Sequence, residues 1–137
     1  MPRRTRKPAR PTQCPCGSGE TYAACCGRFH TGAAAAPTAE ALMRSRYSAF
    51  AVGDEPYLLR TWHPGTRPDR LDLAADARTW TGLDILDTTG GTPLHTTGTV
   101  RFRARYTDAD GPDSQTENSA FERLGGTWLY VDALGFE

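Results

Sequence analysis

Thr38-Ala39-Glu40-Ala41-Leu42-Met43-Arg44-Ser45-Arg46-Tyr47-Ser48-Ala49-Phe50-Ala51-Val52 reads as one amphipathic helix. Thr38 is a natural N-cap, since its hydroxyl can accept from a free first-turn N–H. Leu42, Met43, Tyr47, Ala49 and Phe50 share one face at a period of 3.6 residues. Arg46 falls inside that stripe, whereas Arg44 points away from it. A guanidinium among apolar groups is unfavourable unless it is paired. The helix therefore predicts a carboxylate or a bound anion facing Arg46.

Outward from this helix, Gly53-Asp54-Glu55-Pro56 marks a stop and a new start, with Asp54 or Glu55 as cap and Pro56 in the first turn. A short helix follows through Trp62, and Pro64 ends it by pushing His63 toward an extended backbone. A third turn or short helix is expected between Pro68 and Ala77. The period then changes. Arg78 to Thr88 reads as a strand, closed by the turn Gly90-Gly91-Thr92-Pro93. From Thr96 to Thr107, Val100, Phe102, Ala104 and Tyr106 alternate with Thr99, Arg101, Arg103, Arg105 and Thr107. A strand from about Ser114 to Leu124 meets another, Thr127 to Ala133, through the tight hairpin Gly125-Gly126. The expected class is α+β, with two or three N-terminal helices packed on a curved antiparallel sheet of about four strands.

Ahead of the helix, all four cysteines of the chain lie in the 13 residues from Cys14 to Cys26. A disulfide framework spreads cysteines to staple distant segments, whereas a metal site gathers them. Zinc takes four thiolates tetrahedrally, and Cys14, Cys16, Cys25 and Cys26 can supply them from one short loop. Gly17 and Gly19 give that loop the positive-φ freedom a tight wrap needs. The competing readings are two disulfides, of which only the two longer pairings are unstrained, or free thiols. Four thiolates close the tetrahedron, so the metal expected is one structural Zn2+ per chain.

Cys14-Pro15-Cys16-Gly17-Ser18-Gly19 followed by Cys25-Cys26 also resembles the SEC-C motif, best known from the tail of the translocation ATPase SecA. The resemblance implies the same four ligands and a knuckle that docks a protein partner. Glu20, Tyr22, Arg28 and Phe29 would surround it. Tyr22 and Phe29 are the expected anchors for that partner, unless they pack the knuckle onto the domain instead.

The 137 residues carry 16 basic and 16 acidic side chains, unevenly placed. Residues 1–10 hold five bases and no acid, leaving 11 bases against 16 acids elsewhere. Residues 1–12 are expected to be a disordered basic arm, the only part suited to RNA or a ribosome. Arg101, Arg103 and Arg105 form a ridge without interleaved aromatics, so nucleic-acid binding by the domain is not expected. No window suits a membrane span or a secretory signal. Clustered reduced thiols point to the cytoplasm.

A wider likeness rests on Leu42 to Phe50, Tyr57-Leu58, Thr61-Trp62-His63-Pro64, Glu117 to Phe121 and Gly126 to Asp132. Together with the knuckle, these segments resemble the YchJ-type bacterial proteins. The resemblance implies an NTF2-like cone over residues 38–137, with a connector at 31–37 and the knuckle at 13–30. It also implies a pocket between helices and sheet, and a family without a settled function. Arg46, Tyr47, Trp62, His63, Glu117 and Ser119 are the candidate pocket residues. Glu117, sharing a side of its strand with Ser119 and Phe121, is the preferred partner of Arg46, with Asp132 as the alternative.

Three functions follow as expectations. In the first, the knuckle is an interaction element and the cone a scaffold or small-ligand receptor. The second is an isomerase, dehydratase or hydrolase with His63 and Glu117 as the acid–base pair. The third is a ribosome- or RNA-associated factor using the basic arm and the knuckle together.

Overall fold

A computed structural model describes residues 13–136, so the basic arm expected at 1–12 lies outside the described residues. The helices are α1 (Cys26–His30), α2 (Ala39–Val52) and α3 (Glu55–Arg60), with a single 3-10 turn at Leu73–Ala75. Four strands follow: β1 (Thr79–Gly90), β2 (Thr97–Asp108), β3 (Gly111–Leu124) and β4 (Thr127–Phe136). They pair in sequence order, β1-β2-β3-β4, each antiparallel to the next. The α+β class, the helix count and the four-stranded sheet agree with the sequence.

The helix boundaries fall where their caps require. Thr38 Oγ1 accepts from Ala41 N at 3.0 Å, and Asp54 Oδ1 accepts from Tyr57 N at 3.1 Å. Such caps satisfy N–H groups that have no partner in the first turn. The strands run longer than their apolar alternation indicates. β3 begins at Gly111 rather than Ser114, because backbone pairing with β2 carries on past the last inward side chain. Register shifts in β1 at Trp80/Gly82 and Ile85/Asp87 interrupt the ladder, as do two opposite β4. Bulges of this kind bend a strand and increase its twist.

The inner face of the sheet packs against α2. Leu42, Met43 and Tyr47 of the helix meet Leu83, Val100, Phe102, Ala104, Phe121 and Trp128. Burying such side chains contributes roughly 1.5–3 kcal/mol each. Two links hold the helix start on the sheet: Ala39 N donates to Gly91 O at 2.9 Å, and Trp128 Nε1 to Pro37 O at 3.2 Å.

The wheel placed the apolar stripe of α2 correctly, and the opposite face is covered as well. Ser45 and Ser48 on that face are fully buried, because the cysteine loop and α1 lie over it. Arg44, expected to point away, is half-buried there and donates from Nη1 to Cys16 O at 3.1 Å. Small side chains at 45 and 48 let the loop approach closely.

Candidate metal centre and ligand cavity

Four cysteines and two glycines shape the loop. Gly17 and Gly19 sit at φ +82° and +87°, and a Cβ at either would meet nothing within 4 Å. Glycine is needed at both for backbone conformation rather than for space. The loop closes through Cys14 N donating to Glu20 O at 2.9 Å and an isolated bridge between Gln13 and Thr21. The sulfurs of Cys14, Cys16, Cys25 and Cys26 then lie within 4.8 Å of one another, with Cys16 and Cys25 at 3.6 Å. Zinc–sulfur bonds of about 2.3 Å would place tetrahedral thiolates about 3.8 Å apart, so the cluster fits such an ion. All four cysteines are free rather than disulfide-bonded.

The clustered thiols shift one another's ionisation. Cys14 is pushed far down, first by hydrogen bonds from the thiols of Cys16 and Cys26. Cys16 and Cys26 are pushed up, first by the same interaction with Cys14 and further by burial. Thiols that raise one another in this way cannot ionise together unless a positive ion lies among them.

Tyr22 and Phe29 are buried, at 4% and 6% exposure, so they pack the knuckle onto the domain rather than offering anchors to a partner. Phe29 joins Ala49, Tyr57 and Leu58 in a small core. The sequence reading passed over His30, which is the link at the centre of this contact. Its Nε2 meets Ser45 O at 2.8 Å, leaving Nδ1 to accept from Tyr22 OH. Burial holds His30 below its ordinary pKa, only partly opposed by the Ser45 carbonyl and Asp54. Arg60 Nη2 adds a bond to Phe29 O at 2.9 Å. The exposed remainder of the loop includes Ser18, Glu20 and Arg28.

A separate cavity of about 150 Å³ lies between α2 and the sheet. Tyr47, Phe50, Trp62, Trp80, Phe102 and Tyr130 form its aromatic walls, and Arg46, Arg78, Gln115 and Glu117 its polar lining. Arg46 is 3% exposed, as its place on the wheel required. Its partner is not the one expected, because Arg46 makes no ion pair within 4.0 Å among the described residues. Instead Nη1 donates to Leu58 O and Thr61 Oγ1, both at 2.8 Å. The guanidinium also lies 4.9 Å from the Trp62 ring centre and 4.6 Å from that of Tyr130. Cation–π contact and two neutral acceptors replace the carboxylate. Burial pushes Arg46 down to about 10, and pushes Tyr130 up to about 12 with help from the Glu117 charge.

Glu117 lines the same cavity and accepts from Ser119 Oγ and, at 3.4 Å, from Gln115 Nε2. Asp132, the alternative partner, is exposed. His63 is not brought to Glu117. Its Nδ1 accepts from Gly65 N at 2.9 Å and its Nε2 lies 3.8 Å from Glu122 Oε2, outside the cavity lining. The reason is local: Trp62 bridges to Tyr130 alongside β4, and the next residue points the other way. Arg78, which no sequence signal marked, pairs with Asp76 through two bonds of 2.9 Å and stacks over Trp80 and Tyr106. On the outer face, Arg105 pairs with Asp84 at 3.1 Å.

Residues 38–133 match the family described as YchJ, middle NTF2-like domain, and residues 10–28 match the SEC-C motif. A UPF0225 protein of Streptomyces coelicolor is 64% identical over 119 residues, covering 87% of this chain and 92% of the relative. Another, from Streptomyces avermitilis, is 57% identical over 98% of this chain and 97% of its own. The solution structure of a SEC-C motif containing protein from Rhodopseudomonas palustris superposes with a TM-score of 0.79 at 32% identity, covering 90% of this chain and 98% of that one. A crystal structure of a SEC-C motif containing protein from Psychrobacter arcticus gives 0.73 at 28% identity, over 87% and 80%. A helical layer on a four-stranded open sheet, a cysteine knuckle against its central helix and these matches lead to one conclusion: the chain belongs to the YchJ-type family of SEC-C proteins with an NTF2-like domain.

Proposed function

We propose that this protein is a zinc-stabilised receptor for a small molecule, acting in the cytoplasm. One Zn2+ per chain, held by Cys14, Cys16, Cys25 and Cys26, clamps the knuckle onto α2. The NTF2-like domain holds the ligand in the cavity beside Arg46. The observation carrying this reading is the cavity itself, where a buried arginine and a glutamate line aromatic walls without pairing. A reducing compartment suits four clustered thiolates.

The other readings have less behind them. Acid–base catalysis loses its pair, since His63 lies with Glu122 rather than Glu117. Protein docking through the knuckle loses Tyr22 and Phe29 to the core. An RNA role rests on residues 1–10 and their charge alone.

Native mass spectrometry of the full chain, purified without chelator, tests the proposal. It should give one zinc per chain and a reproducible retained small mass, with zinc lost in Cys25→Ser. A chain that carries zinc and releases no small molecule under any gentle condition would remove the receptor role and leave the metal assignment standing.

A further inference from the structure

The charges in the cavity limit what it can hold. Arg78 is already neutralised by two bonds to Asp76. What remains is one cation, Arg46, and one anion, Glu117, lining a common space without an ion pair. Among the described residues, the hydrogen bonds of Arg46 all leave from Nη1. Trp62, another lining residue, has its indole N–H buried with no hydrogen-bond partner. An unmet buried donor is unfavourable, so a molecule that accepts from this region gains free energy the apo protein lacks.

On the reading that the cavity is a ligand receptor, the geometry points to a small, flat, electrically neutral ligand. It carries a carbonyl acceptor beside an N–H donor, the cyclic-amide chemistry of 2-pyridone or a pyrimidine base. The acceptor faces Arg46 and Trp62, and the donor faces Glu117. Neutrality follows from the balance of Arg46 against Glu117, since a net charge on the ligand would leave one buried charge uncompensated. Flatness follows from walls built of Tyr47, Trp80 and Tyr130, which favour ring stacking. Size follows from the volume, because a space of roughly 150 Å³ accommodates one benzene-sized ring.

The test is NMR titration of the zinc-loaded full chain with three one-ring probes: neutral 2-pyridone, anionic benzoate and cationic benzamidine. Three tryptophans give three indole N–H signals. Trp62 and Trp80 line the cavity, whereas Trp128, bonded to Pro37 O, serves as the internal control. 2-Pyridone should shift Trp62 and Trp80, leave Trp128 still, and bind at least tenfold tighter than either charged probe. Glu117→Gln removes the anion, so benzoate should gain at least tenfold there and overtake 2-pyridone. Tighter binding of benzoate or benzamidine to the native chain would overturn the neutral-ligand class while leaving a receptor in place. No shift at Trp62 or Trp80 with any probe at millimolar concentration would overturn both. The ranking on the native chain decides the matter even if the variant fails to fold.

Discussion

His30 and Arg46 show how one buried polar side chain can organise a contact. Each sits where an apolar residue would be simpler, and each makes its hydrogen bonds to neutral groups, with Asp54 Oδ2 3.9 Å from His30 Nδ1. For His30 the consequence is a pH dependence. Desolvation lowers its pKa in the folded protein, so the unfolded chain takes up the proton first as pH falls. This contribution to stability is fully present above the unfolded value of about 6.5 and is lost as pH falls through it toward the lower folded value. The slope is at most about 1.4 kcal/mol per pH unit. Asp54 and Cys14 oppose the shift and Arg60 reinforces it. Urea denaturation between pH 7.5 and 5.5 with zinc saturating should show native stability falling, and His30→Gln should fall less steeply. Equal slopes would mean that His30 takes up its proton equally readily in the folded and the unfolded protein.

The β1–β2 hairpin seats the start of α2, and its tightest point is Gly98. A Cβ built there would lie 2.6 Å from the Gly91 Cα and N and 3.0 Å from Thr89 O, all backbone atoms that cannot rotate away. Gly91 in turn receives the hydrogen bond of Ala39 N. Gly98→Ala should therefore destabilise by about 1–3 kcal/mol through overpacking, seen as a lower urea midpoint at unchanged slope. Gly135→Ala is the control, since nothing lies within 4 Å of its Cβ and its φ is ordinary. It should stay within about 0.5 kcal/mol of the native chain. A Gly98→Ala protein as stable as that control would show that the hairpin can spread.

In the whole molecule, α2 is a central layer with the sheet on one side and the knuckle and α3 on the other. The β4 edge is partly covered by residues 61–66, through Tyr130 N to Thr61 O at 2.8 Å, His63 N to Tyr130 O at 2.7 Å and Thr66 Oγ1 to Val131 O at 2.6 Å. Such cover blunts an edge that could otherwise pair with another chain. The knuckle has only a small core of its own, so its order should depend on the metal. With zinc as the proposed ion, a chelator should abolish hydrogen-exchange protection from Cys14 to His30 while β2 and β3 keep theirs. Equal loss in β2 and β3 would show that knuckle and sheet unfold as one unit.

Local pattern was enough for the elements and for the gathering of the cysteines. The 3.6-residue stripe, the two-residue alternation from Thr96 to Thr107 and the caps expected at Thr38 and at Asp54 or Glu55 all depend on neighbours in the chain. The four cysteines were legible as a site because their spacing is itself short. Burial of Arg46 was also legible, since a helix wheel assigns sides. What lies on each side was not. Ser45 and Ser48 lie off the apolar stripe until α1 and the cysteine loop, 15 and 34 residues earlier, cover them, and Tyr22 and Phe29 look like anchors for a partner until α2 is beneath them. The partners of Arg46 and the separation of His63 from Glu117 were settled by the backbone of residues 58–63 running beside β4. Those contacts join segments distant in sequence, and no periodicity records which carbonyl or ring will arrive opposite a buried charge.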